Sequence, residues 1–245
     1  MNAHALAAMT RTETRLFLRE PLIWGAAVIL PTAVLVILGA IFGNTPDPQF
    51  GGYGFLTLFT PSLVVITLAT LTVNTFTSRM GTYREQGVLR RLSTTPVRPA
   101  TLLAAQLAIN IVTAFIAVAV LIGVAYVAFG VPLPQAPLAF AVALGVGAAA
   151  LFGLALLIAA VVPSAGAANA VSLPVFFAVM FFGGVYLPQW LLPDFLNKIG
   201  EFIPPGVHGI LDAWLGAPLQ LAPLIVMGVI AVVAGAVAAR TFRWE

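Results

Sequence analysis

The 245-residue chain is 61% hydrophobic and only 8% charged, with a formal net charge of +3 and a mean hydropathy of +1.06. That is more apolar surface than a water-soluble domain of this length can hide, which excludes a soluble enzyme and requires a bilayer as solvent. The absence of cysteine excludes disulfides, thiolate metal sites and a cysteine nucleophile, and the two histidines, His4 and His208, are too far apart in sequence to suggest a zinc site.

Residues 3–20 read as a helix with Leu6, Met9, Phe17 and Leu18 as its apolar members. Arg11, Arg15 and Arg19 recur at four-residue spacing along another face, the pattern of an interfacial helix, although a plain charged leader fits the same residues. Pro21 then opens the first charge-free run. That run is longer than the roughly 7–15 residues of a signal h-region and follows a polar segment, so it reads as a retained span.

The charge-free runs are 21–46, 48–78, 99–193 and 213–239. A membrane helix needs roughly 20 mostly apolar residues, so three of these runs hold one span each. The long run is divided by the breaker clusters 130–137 and 163–166, where proline and glycine interrupt helix, and it holds three spans. The expectation is an all-α polytopic membrane protein forming a single domain, 1–245, with six transmembrane helices near 22–43, 56–78, 101–129, 137–162, 169–187 and 219–239.

Six crossings put both termini on one side. All ten arginines fall on that side and the single Lys198 on the other, so the positive-inside bias makes both termini cytoplasmic. The uncharged turn at 163–168 is assigned inward by parity alone. Trp24, Trp190, Trp214 and Trp244 lie near expected interfaces and suit aromatic anchoring.

No Asp, Glu, Lys, Arg or His falls inside an expected span, which counts against proton- or sodium-coupled carriers that use intramembrane ionisable groups. There is no His-Glu-x-x-His, no Gly-x-Ser-x-Gly and no membrane aspartate pair, so no catalytic residue or metal site is assigned. There is also no Gly-x-x-x-x-Gly-Lys-[Ser/Thr] loop, and so no ATP site of that kind. Energy for uphill transport would have to come from a partner.

Between spans two and three, residues 79–99 gather Arg79, Arg84, Arg90, Arg91 and Arg98, five of the eleven basic residues, around one acid, Glu85. The middle reads as a short helix parallel to the membrane. Val88, Leu89 and Leu92 share a stripe, Arg84 and Arg91 lie on a neighbouring strip, and Pro96 and Pro99 end it. Gly81 and Gly87 permit turns or close approach. Arginines that set topology and attract anionic lipid account for the charge; a docking surface accounts for charge, stripe and lone acid together.

The run Arg84-Glu-Gln-Gly-Val-Leu-Arg-Arg-Leu-Ser-Thr-Thr-Pro-Val-Arg-Pro99 resembles the cytoplasmic signature of ABC transporter permeases of the type-2 class. The likeness extends over nearly the whole chain: an amphipathic helix before span one, six spans, and a long outer segment between spans five and six. It implies a coupling helix in 79–99 that contacts an ATPase, with Glu85, Gly87, Leu89, Leu92, Thr95 and Pro96 at signature positions. Tyr83, Arg84, Arg90 and Arg91 are this chain's neighbouring contributions; Arg90 stands where relatives often carry an acid. Further implications are two copies of a separate ABC ATPase that binds ATP and Mg, a second permease copy, contact with membrane lipid, no nucleic acid, and no cofactor in this chain. The localisation implied is the bacterial cytoplasmic membrane.

By the same likeness residues 1–20 are the connecting helix beside the ATPase, and 188–217 form re-entrant outer helices. That outer segment is too apolar for an ordinary loop and too interrupted by Pro188, Pro193, Pro204 and Pro205 to cross. It reads as half-inserted helices with Trp190 and Trp214 at headgroup depth and His208 near an outer vestibule, or as a solvated loop histidine. Gly39 and Gly43 form a Gly-x-x-x-Gly candidate dimer face near the outer end of span one. The functional expectation is the membrane subunit of an ATP-driven exporter, of the multidrug efflux kind or with a lipid-like cargo. A self-sufficient carrier or channel and a membrane assembly scaffold are the alternatives.

Overall fold

A computed structural model of the chain describes residues 3–88, 91, 99–186 and 191–241, with the backbone alone at 3–8, 18, 21–24, 26, 99 and 100. The described residues are helical apart from turns and one isolated bridge between Pro46 and Gly54. In chain order come α1 (Ala3–Leu18), α2 (Pro21–Phe42), a 3-10 turn (Pro48–Phe50) and α3 (Phe55–Ala69). A π-helical segment (Thr70–Phe76) and α4 (Thr77–Glu85) continue α3 without a break. Then come α5 (Pro99–Phe129), α6 (Pro137–Val161), α7 (Ala165–Phe182), α8 (Asp194–Glu201), α9 (Val207–Trp214) and α10 (Leu221–Thr241).

The run from α3 through the π segment into α4 is the axis of the bundle. Of its most apolar window 89% is buried, against 17% for α10, and Leu56, Leu63, Leu68, Leu71, Phe76 and Met80 are fully enclosed. An axial helix among neighbours carries its polar groups safely only if they bond within it. The hydroxyls of Thr67 and Thr72 accordingly donate to the carbonyls of Leu63 and Leu68, at 2.9 and 2.7 Å, and Thr77 bonds Val73 in the same way. The remaining helices expose long aliphatic side chains outward, such as Val127, Leu138 and Val232, as lipid-facing surfaces do.

Closest approaches fall at small residues. A Cβ added at Gly153 would lie 3.0 Å from the Ala231 carbonyl oxygen, so α6 and α10 pack backbone to backbone there. At the other end of α6, Gly147 lies against the Pro205 backbone. At the start of α3, the Asn44 side-chain oxygen accepts from the amide and hydroxyl of Thr57, both at 3.0 Å, fixing the α2–α3 connection.

Five helices among the described residues are long and apolar enough to cross a membrane: Phe55–Glu85, Thr101–Phe129, Pro137–Val161, Ala165–Phe182 and Leu221–Thr241. In α2 the described apolar stretch, Ala27–Phe42, is shorter than a full span. The second span departs from expectation. It does not stop at 78 but runs seven residues further, to Glu85, because the helix continues through Arg79 and Arg84. Charge is therefore not kept outside the helical bundle: Arg79 is only 8% exposed.

Two further expectations are corrected. Trp214 is 1% exposed and meets Phe140 edge to face at 5.5 Å, so it is a core residue and not an interfacial anchor. Its carbonyl and that of Ala213 accept from the amides of Gln135 and Ala136, at 3.0 and 3.1 Å, which draws the end of α9 inward. Gly39 is buried against its own chain: a Cβ there would fall in the Phe129 ring, so its close approach is used within the protomer. Gly43 ends α2 with φ 66°, a turn position and not part of a helical face. Trp24, Trp190 and Trp244 carry no described side chain.

Candidate functional site

At the arginine-bearing end of the bundle the last turns of α4 touch three other elements. The first contact is with the α6–α7 turn. The terminal carbonyls of a helix have no partner within it and lie at the negative end of its dipole, which attracts a cation. Arg84 fills that role. Its Nη1 donates to the Ala159 carbonyl at 3.0 Å and to that of Val162, and its Nη2 to that of Ala160 at 3.1 Å.

Across the same turn α7 begins, where amides lack partners and an anion is favoured. The Glu85 carboxylate accepts from the Ala165 amide at 3.2 Å, and the Ser164 hydroxyl caps the Ala167 amide at 3.0 Å. Adjacent residues of opposite charge thus hold opposite helix ends. Gly81 permits the approach, since a Cβ there would meet the Ser164 carbonyl oxygen at 2.6 Å and the Ala165 backbone at 2.7 Å. The uncharged turn assigned to this side by parity does lie at the arginine-bearing end.

The second and third contacts join α1 and α5. Glu13, 5% exposed, receives the Tyr83 hydroxyl at 2.6 Å and the Gln106 amide on the same carboxylate oxygen. Beside this trio the Arg79 guanidinium lies over the rings of Phe17 and Tyr83, 5.6 and 5.8 Å from their centroids, and pairs with Glu20 at 3.7 Å. A carboxylate on an amphipathic helix is thereby buried with two donors, the condition under which burying a charge is tolerable.

α4 ends at Glu85, and Gly87 takes φ 66°. The continuous helix expected to carry Arg84 and Arg91 on one strip is therefore two pieces: Arg84 closes the second span, and a left-handed glycine precedes the turn whose Arg91 amide donates to the Gly87 carbonyl at 3.0 Å. Val88 packs on the cluster of Phe76, Met80, Tyr83 and Leu102. Glu85, Gln86 and Arg91 are exposed. Leu89, Arg90, Leu92, Thr95 and Pro96 lie outside the described residues.

Arg11 and Arg15 on α1 and Arg19 just after it are exposed, while Glu13 and Phe17 turn inward. At the opposite end Pro193 precedes α8, and Pro204 and Pro205 are buried and joined by a cis peptide bond. α8 and α9 have eight residues each, about 12 Å of helix, too short to cross. His208 lines a narrow cleft with Glu201, Asp212 and Gln220, and neither ring nitrogen has a hydrogen-bond partner among the described residues. Burial pushes its pKa below the ordinary 6.5, partly opposed by Glu201; burial and Glu201 both push the Asp212 carboxyl upward. Pro188 and Trp190 lie outside the described residues.

Sequence reading missed Glu13, Gln106 and the inward role of Arg79. A signal for Glu13 existed: Met9, Glu13 and Phe17 recur every four residues, so the acid interrupts an apolar stripe and requires a buried partner. Gln106 carried no such signal, being one uncharged polar residue in a long apolar helix.

A family model described as ABC-2 type transporter matches residues 4–206, most of the chain. No curated protein and no solved structure matches it.

Proposed function

The chain belongs to the ABC-2 type transporter family, and from that premise we propose that it is the permease subunit of an ATP-driven exporter, coupled to a separate ATPase through the segment around Glu85–Arg91. In this reading α2 completes six crossings, and both termini and the α4 end face the cytoplasm of a bacterial cell. Two copies of the chain enclose the path, and two ATPase subunits supply ATP and Mg chemistry. The outer helices α8 and α9 cap the path, and efflux of drugs or lipid-like molecules is the transport expected.

The observation that carries the reading is mechanical. The axial helix, buried along its length, ends in the exposed pair Glu85 and Gln86, and Arg84, Glu85, Tyr83 and Gly81 tie that end to α1, α5, α6 and α7. Force applied there reaches four helices at once, because charge-assisted hydrogen bonds and backbone contacts leave little slack. A lipid-facing topogenic loop needs no such bracing.

The test is purification of the tagged protein from its own host in mild detergent, followed by reconstitution. Expected is a co-purifying ATPase with a phosphate-binding loop and ATP-dependent transport. Transport by the isolated chain without any ATPase would establish a self-sufficient carrier in its place.

A further inference from the structure

A polar cavity of about 420 Å³ opens beside the π-helical segment, α4 and the start of α7, within the range of about 300–1,000 Å³ usual for ligand sites. Its wall combines the amides of Asn74, Gln86 and Asn169, the hydroxyls of Thr75, Ser78, Thr82 and Tyr83, and one charge of each sign, Arg79 and Glu20. Asn74 and Thr75 lie within the π segment, a wide turn of a kind frequent at functional sites.

Arg79 is 8% exposed, and its Nη1 is enclosed without a hydrogen-bond partner among the described residues, so an acceptor in the cavity would reach it only once the pair with Glu20 opens. Its remaining polar contacts are weak: Nε to the Tyr83 hydroxyl at 3.4 Å, and Nη2 to Glu20 at 3.7 Å, with Glu20 46% exposed. A buried guanidinium left this poorly satisfied is costly unless an acceptor completes it. Phosphate oxygens match its fork with two parallel bonds, which a single-point acceptor does not. Of the two carboxylates nearby, Glu13 is committed to Tyr83 and Gln106, while the loosely held Glu20 is displaceable.

We propose that this cavity binds the phosphate group of an amphiphile, with Arg79 as its charged ligand and Glu20 as the counter-ion it displaces. The site lies where α1 meets α2 and near the arginine-bearing end of α4, so a headgroup there would hold its tail along the bundle. The cargo role of such a molecule rests on the permease reading; its binding is a property of this chain alone.

The experiment is titration of the purified protein, in nanodiscs of phosphatidylcholine, with dihexanoyl phosphatidic acid, inorganic phosphate or dihexanoyl phosphatidylcholine. Binding is read by native mass spectrometry and calorimetry, without an ATPase. Phosphatidic acid is expected to bind, about tenfold or more weaker in Arg79→Gln, with Arg79→Lys in between because an ammonium lacks the fork. Glu20→Gln, a change at a half-exposed residue, is expected to tighten binding. Competition by inorganic phosphate would identify the free ion as ligand at the same site; its absence would identify the lipid headgroup. Equal binding of all three probes, or phosphatidic acid affinity unchanged in Arg79→Gln and in Glu20→Gln, overturns the proposal. A lost ATPase partnership would leave these results untouched.

Discussion

Replacing Tyr83 by Phe removes one oxygen and leaves the ring, its packing against Phe76, Met80 and Leu102, and its place beside Arg79 intact. What is lost is the 2.6 Å bond to the Glu13 carboxylate, together with the longer contacts from Arg79 Nε and Gln106 Nε2, at 3.4 and 3.3 Å. A hydrogen bond to a buried charge contributes about 1.5–3 kcal/mol, and Glu13 would keep only Gln106 as donor. The expected loss of stability is therefore about 1.5–3 kcal/mol, read from reversible denaturant unfolding in mixed micelles. Glu13→Gln retains an acceptor but removes its charge, so the two changes overlap. A double-mutant cycle should give a coupling energy of about 1 kcal/mol or more. A Tyr83→Phe protein within about 0.5 kcal/mol of wild type, or strictly additive single effects, would refute the claim that this trio pins α1 to α4 and α5.

The other expectations follow from the same contacts. Gly147→Ala should destabilise by about 1–3 kcal/mol because its Cβ meets the Pro205 backbone, whereas Gly145→Ala, two residues away and facing open space, should be neutral or slightly stabilising in the same unfolding assay. Arg84→Gln should cost about 1.5–3 kcal/mol and increase hydrogen exchange at the α6–α7 turn, since three carbonyls lose a charged donor. His208, with a pKa held below 6.5, favours the fold in its neutral form, so its contribution is complete above pH 6.5 and declines as pH falls toward its lowered folded value. Asp212 has the opposite sign: its raised pKa makes the contribution complete below 3.8 and lost as pH rises through the folded value. From pH 7.5 to pH 5.5 the change in thermal stability should therefore be more unfavourable in the wild type than in His208→Gln, which lacks the histidine's contribution.

Helix positions were legible in the sequence because bilayer apolarity and proline breaks act on single residues in order. The start of α6 at Pro137 and the ends of α5 at Phe129 and α6 at Val161 fall at or within a residue of where the breaker clusters 130–137 and 163–166 put them. The second span outruns its charge-free run because Arg79 and Arg84 find the Phe17 ring, Glu20 and carbonyls on other elements. Those partners are 59 to 78 positions away and carry no local signature. Trp214 and Gly39 were misplaced for a related reason. Composition identifies an aromatic or a small-residue motif, but which neighbour it meets depends on packing, and here Phe140 and Phe129 take the contacts. The lone acid Glu85 was recognised, but not its hold on the first turn of α7, which exists only once Gly81 lets the turn come near.

The absence of native cysteines makes the decisive measurement direct. A single cysteine at exposed Gln86, carrying a short thiol-to-amine crosslinker, should capture the ATPase in membranes of the native host, while one at Phe195, 63% exposed at the other end of the bundle, should not. Capture from Phe195, or none from Gln86 in a preparation where the ATPase remains bound, would contradict entry of ATP-driven force at the end of α4.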